Sequence, residues 1–364
     1  MSGQPSPQAP PHYDDELRRL VGPVPWCLDA AWLAEGHFHI AGWAIPIEGV
    51  THRVSIRIDG EEVDDLEGGL HRPDVGLYYW FLPGASQSGF RGVHRVRGGP
   101  GAHWTIEYAN RSTGETVEPW HTFYVHRKDL LSGPPVPSLA QIQRVHGGNS
   151  QNQYLIEGYS TYVKFERALH SLIGRTFVDF ATTLDFGCGC GRLARSFTVD
   201  AAHRLVGVDV DRENVEWCRA NLSGEFLITS REPPLPLEPA SVDCVVANDV
   251  FTHLREADGR AWLREVARVC RDGAIVLVSI ASERALARAR LSPDHYAQVR
   301  ALDFIDLSRN PELDGVIEDP TYYRNVFHSL GYVRATWPRE GFAILGIVPG
   351  LSGNQHDLII LRKR

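Results

Sequence analysis

The chain has 364 residues, a formal net charge of −8 at pH 7, 43% hydrophobic residues and 23% charged residues. This length favours two domains over one core, and the acidic balance argues against nucleic acid as the main partner. No apolar run is long enough to span a bilayer, and the first residues lack the basic and apolar segments of a secretory signal. The six cysteines are typical of reduced thiols that pack in a core. We therefore expect a cytoplasmic protein without a membrane span.

The N-terminal third is predicted to be an all-β domain. Residues 1–25 begin with a proline-, glutamine- and serine-rich stretch and are predicted to be disordered or extended, with one or two helical turns at 14–20. Residues 26–128 show short alternating segments broken by glycine, which predicts an antiparallel β-sandwich without helices. His37 and His39 would share a strand face but lack further ligands at metal spacing, so no metal site is predicted.

The order of short motifs in this domain resembles a small β-sandwich attached to bacterial glycosyltransferases and related surface-polysaccharide enzymes. The matching features over residues 28–126 are a GWA strand, an IDG turn, an RPDV segment and a later GF. The resemblance implies an accessory module that holds a glycan or a partner protein, such as a glycosyltransferase or another polysaccharide-assembly protein. Tyr78, Tyr79 and Trp80 are then either sugar-stacking residues or part of the sandwich core.

The C-terminal part alternates strands and helices. Residues 129–150 contain three prolines and predict an extended interdomain linker. In residues 151–364, almost uniformly apolar strands alternate with helices, which predicts a mostly parallel, doubly wound α/β sheet. Strands at 342–350 and 356–364 follow each other without a helix between them. We therefore predict seven strands that end in an antiparallel hairpin, unlike a plain dinucleotide-binding domain.

A glycine loop, DFGCGCGR, follows the first strand of this sheet and opens a helix. It reads G-x-G-x-G rather than the G-x-G-x-x-G of a dinucleotide site, and no phosphate-binding lysine follows it. Gly187 and Gly189 would let the backbone approach a ligand, and Gly191 would let the helix pack on the sheet. Asp209 ends the second strand and would accept hydrogen bonds from two ribose hydroxyls, whereas Asp211 is predicted to cap the next helix. Cys188 and Cys190 are interpreted as small packing residues.

This arrangement of strand, glycine loop, helix and closing hairpin is similar to that of class I S-adenosylmethionine-dependent methyltransferases, over about residues 150–364. The resemblance implies S-adenosylmethionine as cofactor, with Asp185 near its amino group, Val210 on the adenine and Asn248 under the methionine. Thr229 and Ser230 stand at the adenine edge, where many relatives carry an acid, so the partner of the adenine amino group stays open. The implied cofactor-binding residues are Asp185, Phe186, Gly187, Cys188, Gly189, Asp209, Val210, Thr229, Ser230 and Asn248.

His253 is the candidate catalytic base, as the one histidine that the pattern places near the carboxyl ends of the strands. An insertion after the fifth strand, residues 281–328, is expected to bound the methyl acceptor. Its candidate side chains are Tyr296, Tyr322, Tyr323 and His328.

The expected function is O-methylation of a sugar or glycan hydroxyl in bacterial surface-polysaccharide or glycoside biosynthesis. It is implied by the sandwich and by the segments VFTHL and QHDLIIL, which resemble methyltransferases of bacterial cell-surface and secondary-metabolite pathways. Two alternatives remain open. One is methylation of a small metabolite or a protein, with the sandwich as an oligomerisation module; the other is a glycan-binding scaffold with an inactive methyltransferase core.

Overall fold

The structure is a computed structural model, and it describes residues 13–21, 26–45, 54–95, 103–110, 121–148, 150–200, 204–352 and 355–364. The disorder predicted for residues 1–12 lies outside this part. Tyr13–Val21 form helix α1 rather than an extended segment, in agreement with the helical turns expected there. The helix forms because Leu17 and Val21 bury one face in a cluster with Leu286 of the C-terminal part.

Eight strands of the described N-terminal residues form two antiparallel sheets. Their bounds are β1 Trp26–Ala34, β2 His37–Ala44, β3 Val54–Ile58, β4 Glu61–Glu62, β5 Asp65–Leu70, β6 Gly89–Arg95, β7 His103–Asn110 and β8 Phe123–His126. The sheet orders are β1-β2-β6-β5 and β4-β3-β7-β8. Phe38 of one sheet stacks on Trp104 of the other with ring centroids 4.7 Å apart, inside a shared apolar core. These two sheets form the sandwich that the alternating pattern predicts.

The prediction that this domain lacks helices is wrong. Helix α2, Pro73–Tyr78, and a 3₁₀ turn, Ala85–Gln87, stand between β5 and β6. The helix begins at Pro73, whose fixed φ suits the first helical turn. Proline lacks an N–H group, but an N–H at this position would have no acceptor within the helix. The RPDV segment therefore contains the start of a helix.

The stretch between the two units is bound rather than freely extended. It holds helix α3, Arg127–Leu131, and helix α4, Leu139–His146. Ser138 caps α4 through a reciprocal pair of hydrogen bonds with Gln141. Arg195, from the C-terminal unit, donates to the carbonyl oxygens of the proline pair that precedes α4 and to the carboxylate of Asp129.

The C-terminal unit is the predicted doubly wound sheet. Its elements are α5 Gln151–Ile173, β9 Thr182–Phe186, α6 Ala194–Asp200, β10 Arg204–Asp209, α7 Arg212–Asn221, β11 Glu225–Ile228, β12 Val242–Ala247, α8 Glu256–Val269, β13 Cys270–Ala281, α9 Glu283–Leu286, α10 Pro293–Arg300, β14 Phe304–Arg309, β15 Arg324–His328, α11 Leu330–Thr336, β16 Phe342–Ser352 and β17 His356–Lys363. The strand order is β11-β10-β9-β12-β13-β17-β16. β17 runs antiparallel to both of its neighbours, which confirms the closing hairpin.

Helix α5 joins the sandwich to this sheet. Asn152 pairs with both backbone groups of Ala31 on the edge strand β1, with two hydrogen bonds of 2.7 Å. Ser160 pairs in the same way with Tyr124 on β8, an edge strand of the other sandwich sheet. The side chains of α5 thus pair with backbone N–H and C=O groups of these edge strands, which would otherwise lack a partner within the sheets. Within the described residues, no helix is both long and apolar enough to cross a membrane.

Candidate active site

A cavity opens at the carboxyl ends of β9, β10 and β12, where the crossovers of a parallel sheet leave room for a ligand. It brings together nine of the ten predicted cofactor residues: Asp185, Phe186, Gly187, Cys188, Gly189, Asp209, Val210, Thr229 and Asn248. Ser230 is exposed, its hydroxyl donates to the carbonyl of Glu232, and it does not belong to the lining.

The glycine loop is packed too tightly for side chains. Its three glycines have positive φ: Gly187 (78°), Gly189 (51°) and Gly191 (82°). A Cβ on Gly187 would lie 2.3 Å from Val250, and one on Gly189 would lie 2.7 Å from Val145 of α4. Backbone therefore forms this wall of the cavity, and α4 covers it, a contact that the sequence pattern did not indicate.

Asp209 is held in place by backbone. Its Oδ2 accepts a hydrogen bond from Gly189 N–H at 2.7 Å, and its Oδ1 accepts one from Asp211 N–H at 2.8 Å. Burial raises the pKa of Asp209 to about 6, and these N–H donors oppose the rise. Asp211 caps α7 as predicted, accepting from the N–H groups of Glu213 and Asn214. The carboxylate of Asp209 thus reaches the cavity in a fixed orientation with lone pairs left for a donor.

Asp185 is buried at the end of β9, with 2% of its surface exposed. Burial, and next the negative charge of Asp209, raise its pKa to about 7. Within the described part of the chain, Asp185 Oδ2, Thr229 Oγ1 and Asn248 Oδ1 are buried without a hydrogen-bond partner. All three residues line the cavity. These acceptors fit the ammonium, hydroxyl and amino donors of S-adenosylmethionine, so the residues present suit the cofactor implied by the sequence.

Asp249 is a site residue that sequence reasoning missed. It follows Asn248 with φ 59° and accepts hydrogen bonds from Arg192 Nη2 at 2.5 Å and from His356 Nδ1 at 2.7 Å. Burial raises the pKa of Asp249, but the interactions with His356 and Arg192 outweigh it and hold the pKa well below its usual range. The sequence signal for Asp249 was an acidic residue two positions after the end of β12, next to the predicted Asn248.

The insertion at 281–328 contributes only in part. Tyr322 and Tyr323 line the cofactor cavity. Tyr296 and His328 are buried in apolar surroundings instead, and burial lowers the pKa of His328 to about 3. His328 packs against Phe304, Tyr332 and Trp337, as an uncharged core residue would.

His253 lies outside the cofactor cavity. Its Nδ1–H donates to the carbonyl of Arg324 at 2.7 Å, and its ring stacks on Tyr323 at 4.1 Å. Burial lowers its pKa to about 4, so the ring is neutral at pH 7. It borders a neighbouring cavity together with His356, at the start of β17, so His253 is not the one histidine at this edge. Its role as the base stays a prediction.

Comparison with known proteins agrees with this geometry. Residues 184–278 match the family model of a methyltransferase domain. A probable S-adenosylmethionine-dependent methyltransferase of Mycolicibacterium smegmatis is 31% identical over 169 residues, which cover 46% of this chain and 62% of that protein. One of Mycobacterium tuberculosis is 30% identical over 125 residues, 34% of this chain and 44% of the relative. The chain thus spans less than two thirds of the length of these curated relatives.

Magnesium protoporphyrin IX methyltransferase from Synechocystis, solved with bound SAH, aligns at 15% identity and a TM-score of 0.42, over 62% of this chain and 93% of that one. The family model and the curated relatives support a class I methyltransferase domain that uses S-adenosylmethionine.

Proposed function

We propose that the protein is an S-adenosylmethionine-dependent methyltransferase that O-methylates a sugar or glycan hydroxyl in surface-polysaccharide or glycoside biosynthesis. The observation that carries the methyltransferase assignment is the cavity at the ends of β9, β10 and β12, with its unpartnered oxygen atoms, the buried carboxyl group of Asp185 and the half-buried one of Asp209. When bound there, the cofactor supplies an activated methyl group on a sulfonium. The protein's task is to orient both ligands, exclude water and remove the acceptor's proton.

Each part of the cavity has a distinct task in this proposal. The fixed carboxylate of Asp209 binds the ribose hydroxyls, and Asp185 binds the ammonium group. Val210 and Leu254 supply apolar contacts for the adenine ring. Because Asp185 and Asp209 repel each other across a buried cavity, a ligand with a positive charge relieves that repulsion.

The acceptor class rests on analogy with the sandwich motifs and on one exposed aromatic residue. Tyr78 is 61% exposed at the end of α2, whereas Tyr79 is buried in the core, so Tyr78 is the tyrosine available to stack on a sugar. In this proposal the protein works in the cytoplasm, beside a glycosyltransferase or another polysaccharide-assembly protein.

Two measurements test the proposal. Calorimetry with S-adenosylhomocysteine should show binding to the wild-type protein, and absence of binding would remove the enzyme assignment. Mass spectrometry of surface glycans and metabolites should show one methyl group missing when the gene is deleted. The wild-type gene should restore it and an Asp209→Asn gene should not. A methyl group missing from a small metabolite or a protein instead would reject the sugar acceptor and keep the methyl transfer.

A further inference from the structure

A second cavity, of about 690 Å³, lies between the sandwich and the C-terminal unit. We call it the interdomain cavity. Asp29, Arg72 and Tyr78 line it from the sandwich side, and Thr161 and Lys164 line it from α5. A space of this volume accommodates a ligand of one or two sugar rings.

The charges in the interdomain cavity nearly cancel. Among the described residues, five carboxylates and four basic side chains line it. Arg72 bonds to Asp29 at 2.5 Å and to Asp74 at 2.6 Å, so its charge is already balanced. Trp43 and Tyr78 add aromatic faces. Closely spaced donors and acceptors with little net charge suit a neutral ligand that carries many hydroxyl groups, because each hydroxyl both donates and accepts.

Within the described part of the chain, the interdomain cavity meets the cofactor cavity at one pair of side chains. Arg192 and Asp249 line both cavities, and His356 lines the interdomain one. A carboxylate can only accept, so the 2.7 Å contact with Asp249 assigns a proton to Nδ1 of His356 in either charge state of the ring. In the uncharged form of the ring the lone pair lies on Nε2, which can accept a proton, as in a histidine oriented by an aspartate.

We propose that the interdomain cavity is the acceptor site, that it binds a neutral polyhydroxylated ligand, and that His356, oriented by Asp249, removes the proton of the reacting hydroxyl. This inference rests on the proposed methyltransferase function. As the acceptor oxygen bonds to the methyl carbon, its proton passes to Nε2 of His356, and the electron pair of the broken carbon–sulfur bond stays on sulfur. His356 is the catalytic residue in this step, and Asp249 is a positioning residue.

Ligand-observed NMR on the full chain saturated with S-adenosylhomocysteine tests the acceptor site. The probes are the methyl glycosides α-D-glucopyranoside, α-D-mannopyranoside and α-L-rhamnopyranoside. Thr161→Trp fills the cavity from α5, and Ser171→Trp places the same side chain on an exposed position of that helix. We expect a glycoside to bind the wild type and Ser171→Trp, and to bind Thr161→Trp at least ten-fold more weakly. S-adenosylhomocysteine affinity should stay within two-fold in both variants.

Binding by no glycoside, or equal binding by Thr161→Trp, would overturn the acceptor site. Loss of S-adenosylhomocysteine binding by the wild type would instead count against the proposed function. Glycoside binding without transfer of labelled methyl by the wild type would also overturn the acceptor assignment.

The base is tested with the glycoside that binds. His356→Gln should lower kcat about 100-fold while both ligand affinities stay within two-fold. In ¹⁵N NMR, the Nδ1–H form of His356 should dominate in the wild type and lose that preference in Asp249→Asn. Unchanged kcat in His356→Gln, or a loss of kcat confined to His253→Gln, would overturn the assignment.

Discussion

The cofactor cavity and the interdomain cavity lie side by side, but the chain builds them in different ways. The first is formed largely by strand ends and loops within residues 185–254, with backbone as one wall. The second takes its lining from residues as far apart as Cys27 and His356. Cofactor recognition therefore depends mainly on local geometry inside one sheet, whereas the second cavity exists only while two units stay docked.

Shared apolar clusters and a few polar contacts hold the two units together. α5 binds edge strands of both sandwich sheets through Asn152 and Ser160. Arg195 clamps the linker to the C-terminal unit. Changes at these positions should affect the interdomain cavity first, and changes at Asp209 should affect the cofactor cavity first.

The largest effect is expected for Arg195→Met. The Arg195–Asp129 pair is nearly inaccessible, with side chains 1% and 6% exposed, and Arg195 also satisfies two linker carbonyls. Removing one partner leaves a buried charge unpaired, so the free energy of unfolding should fall by about 3–5 kcal/mol in urea titrations. Arg204→Met is the control, because its exposed pair with Glu225 should contribute less than about 1 kcal/mol. Equal losses of unfolding free energy in the two variants would show that Arg195 does not hold the linker against the C-terminal unit.

Asp209→Asn should have the next largest effect, confined to the cofactor cavity. The asparagine side chain has no negative charge, and its NH₂ group would face the N–H of Gly189 or Asp211. S-adenosylhomocysteine should therefore bind about 100-fold more weakly. Calorimetry measures this, with exposed Asp272→Asn as the control. Affinity within three-fold of the wild type would exclude Asp209 as the ribose ligand.

The same contrast explains what the sequence could predict. Asp185 and Asp209 end neighbouring parallel strands, so their meeting at one sheet edge follows from the alternation of strands and helices. The Asp249–His356 contact joins residues 107 positions apart, and it depends on the register in which the reversed β17 pairs with β13. Hydrophobic patterns indicate that β17 is a strand but not which residue of it reaches the site.

The packing of α4 over the cofactor cavity could not be predicted from the sequence either. Proline spacing predicts an extended linker, yet Val145 of α4 fits onto Gly189 because the glycine leaves room for it. Ser230, which was predicted to bind the cofactor, lies outside the cavity lining for a related reason. The chain turns after Thr229, and the serine hydroxyl bonds to Glu232 rather than facing the cavity. Local contacts of this kind leave no periodic signal in the sequence.

Binding of S-adenosylhomocysteine should depend on pH through Asp185. Its pKa of about 7 in the free protein means that about a tenth of the carboxyl is ionised at pH 6 and about nine tenths at pH 8. Since the carboxylate is the form that attracts the ammonium group, affinity should rise about ten-fold over this range, with proton release near pH 7. Calorimetry in two buffers of different ionisation enthalpy measures both.

Asp185→Asn should remove most of this pH dependence. In the ligand-free protein, the free energy of unfolding changes with pH in the opposite direction to the affinity, because a raised pKa favours the neutral acid in the folded state. The free energy of unfolding should therefore fall as pH rises from about 4 to about 7, and Asp185→Asn should make that decline shallower and leave the part due to Asp209. An undiminished pH dependence in the variant would assign the titration to another group.

Arg144→Met should have the smallest effect and tests whether the linker belongs to the cofactor site. Arg144 donates to Asp211 at 2.9 Å and to Glu213 at 2.8 Å, which seats α4 over the cavity. Asp211 keeps its hydrogen bonds to the start of α7 without it, so S-adenosylhomocysteine affinity should fall only about three-fold. Arg212→Met, which removes an exposed pair with Glu216, is the control.

The Arg144→Met change should also weaken glycoside binding in the interdomain cavity. Gly147 and Gly148 follow α4 directly and line that cavity, so a displaced α4 changes both ligand sites at once. Calorimetry and glycoside NMR on the same variant should then show parallel losses. Weaker cofactor binding with unchanged glycoside binding would mean that the two cavities communicate only through Arg192 and Asp249, the two residues that line both.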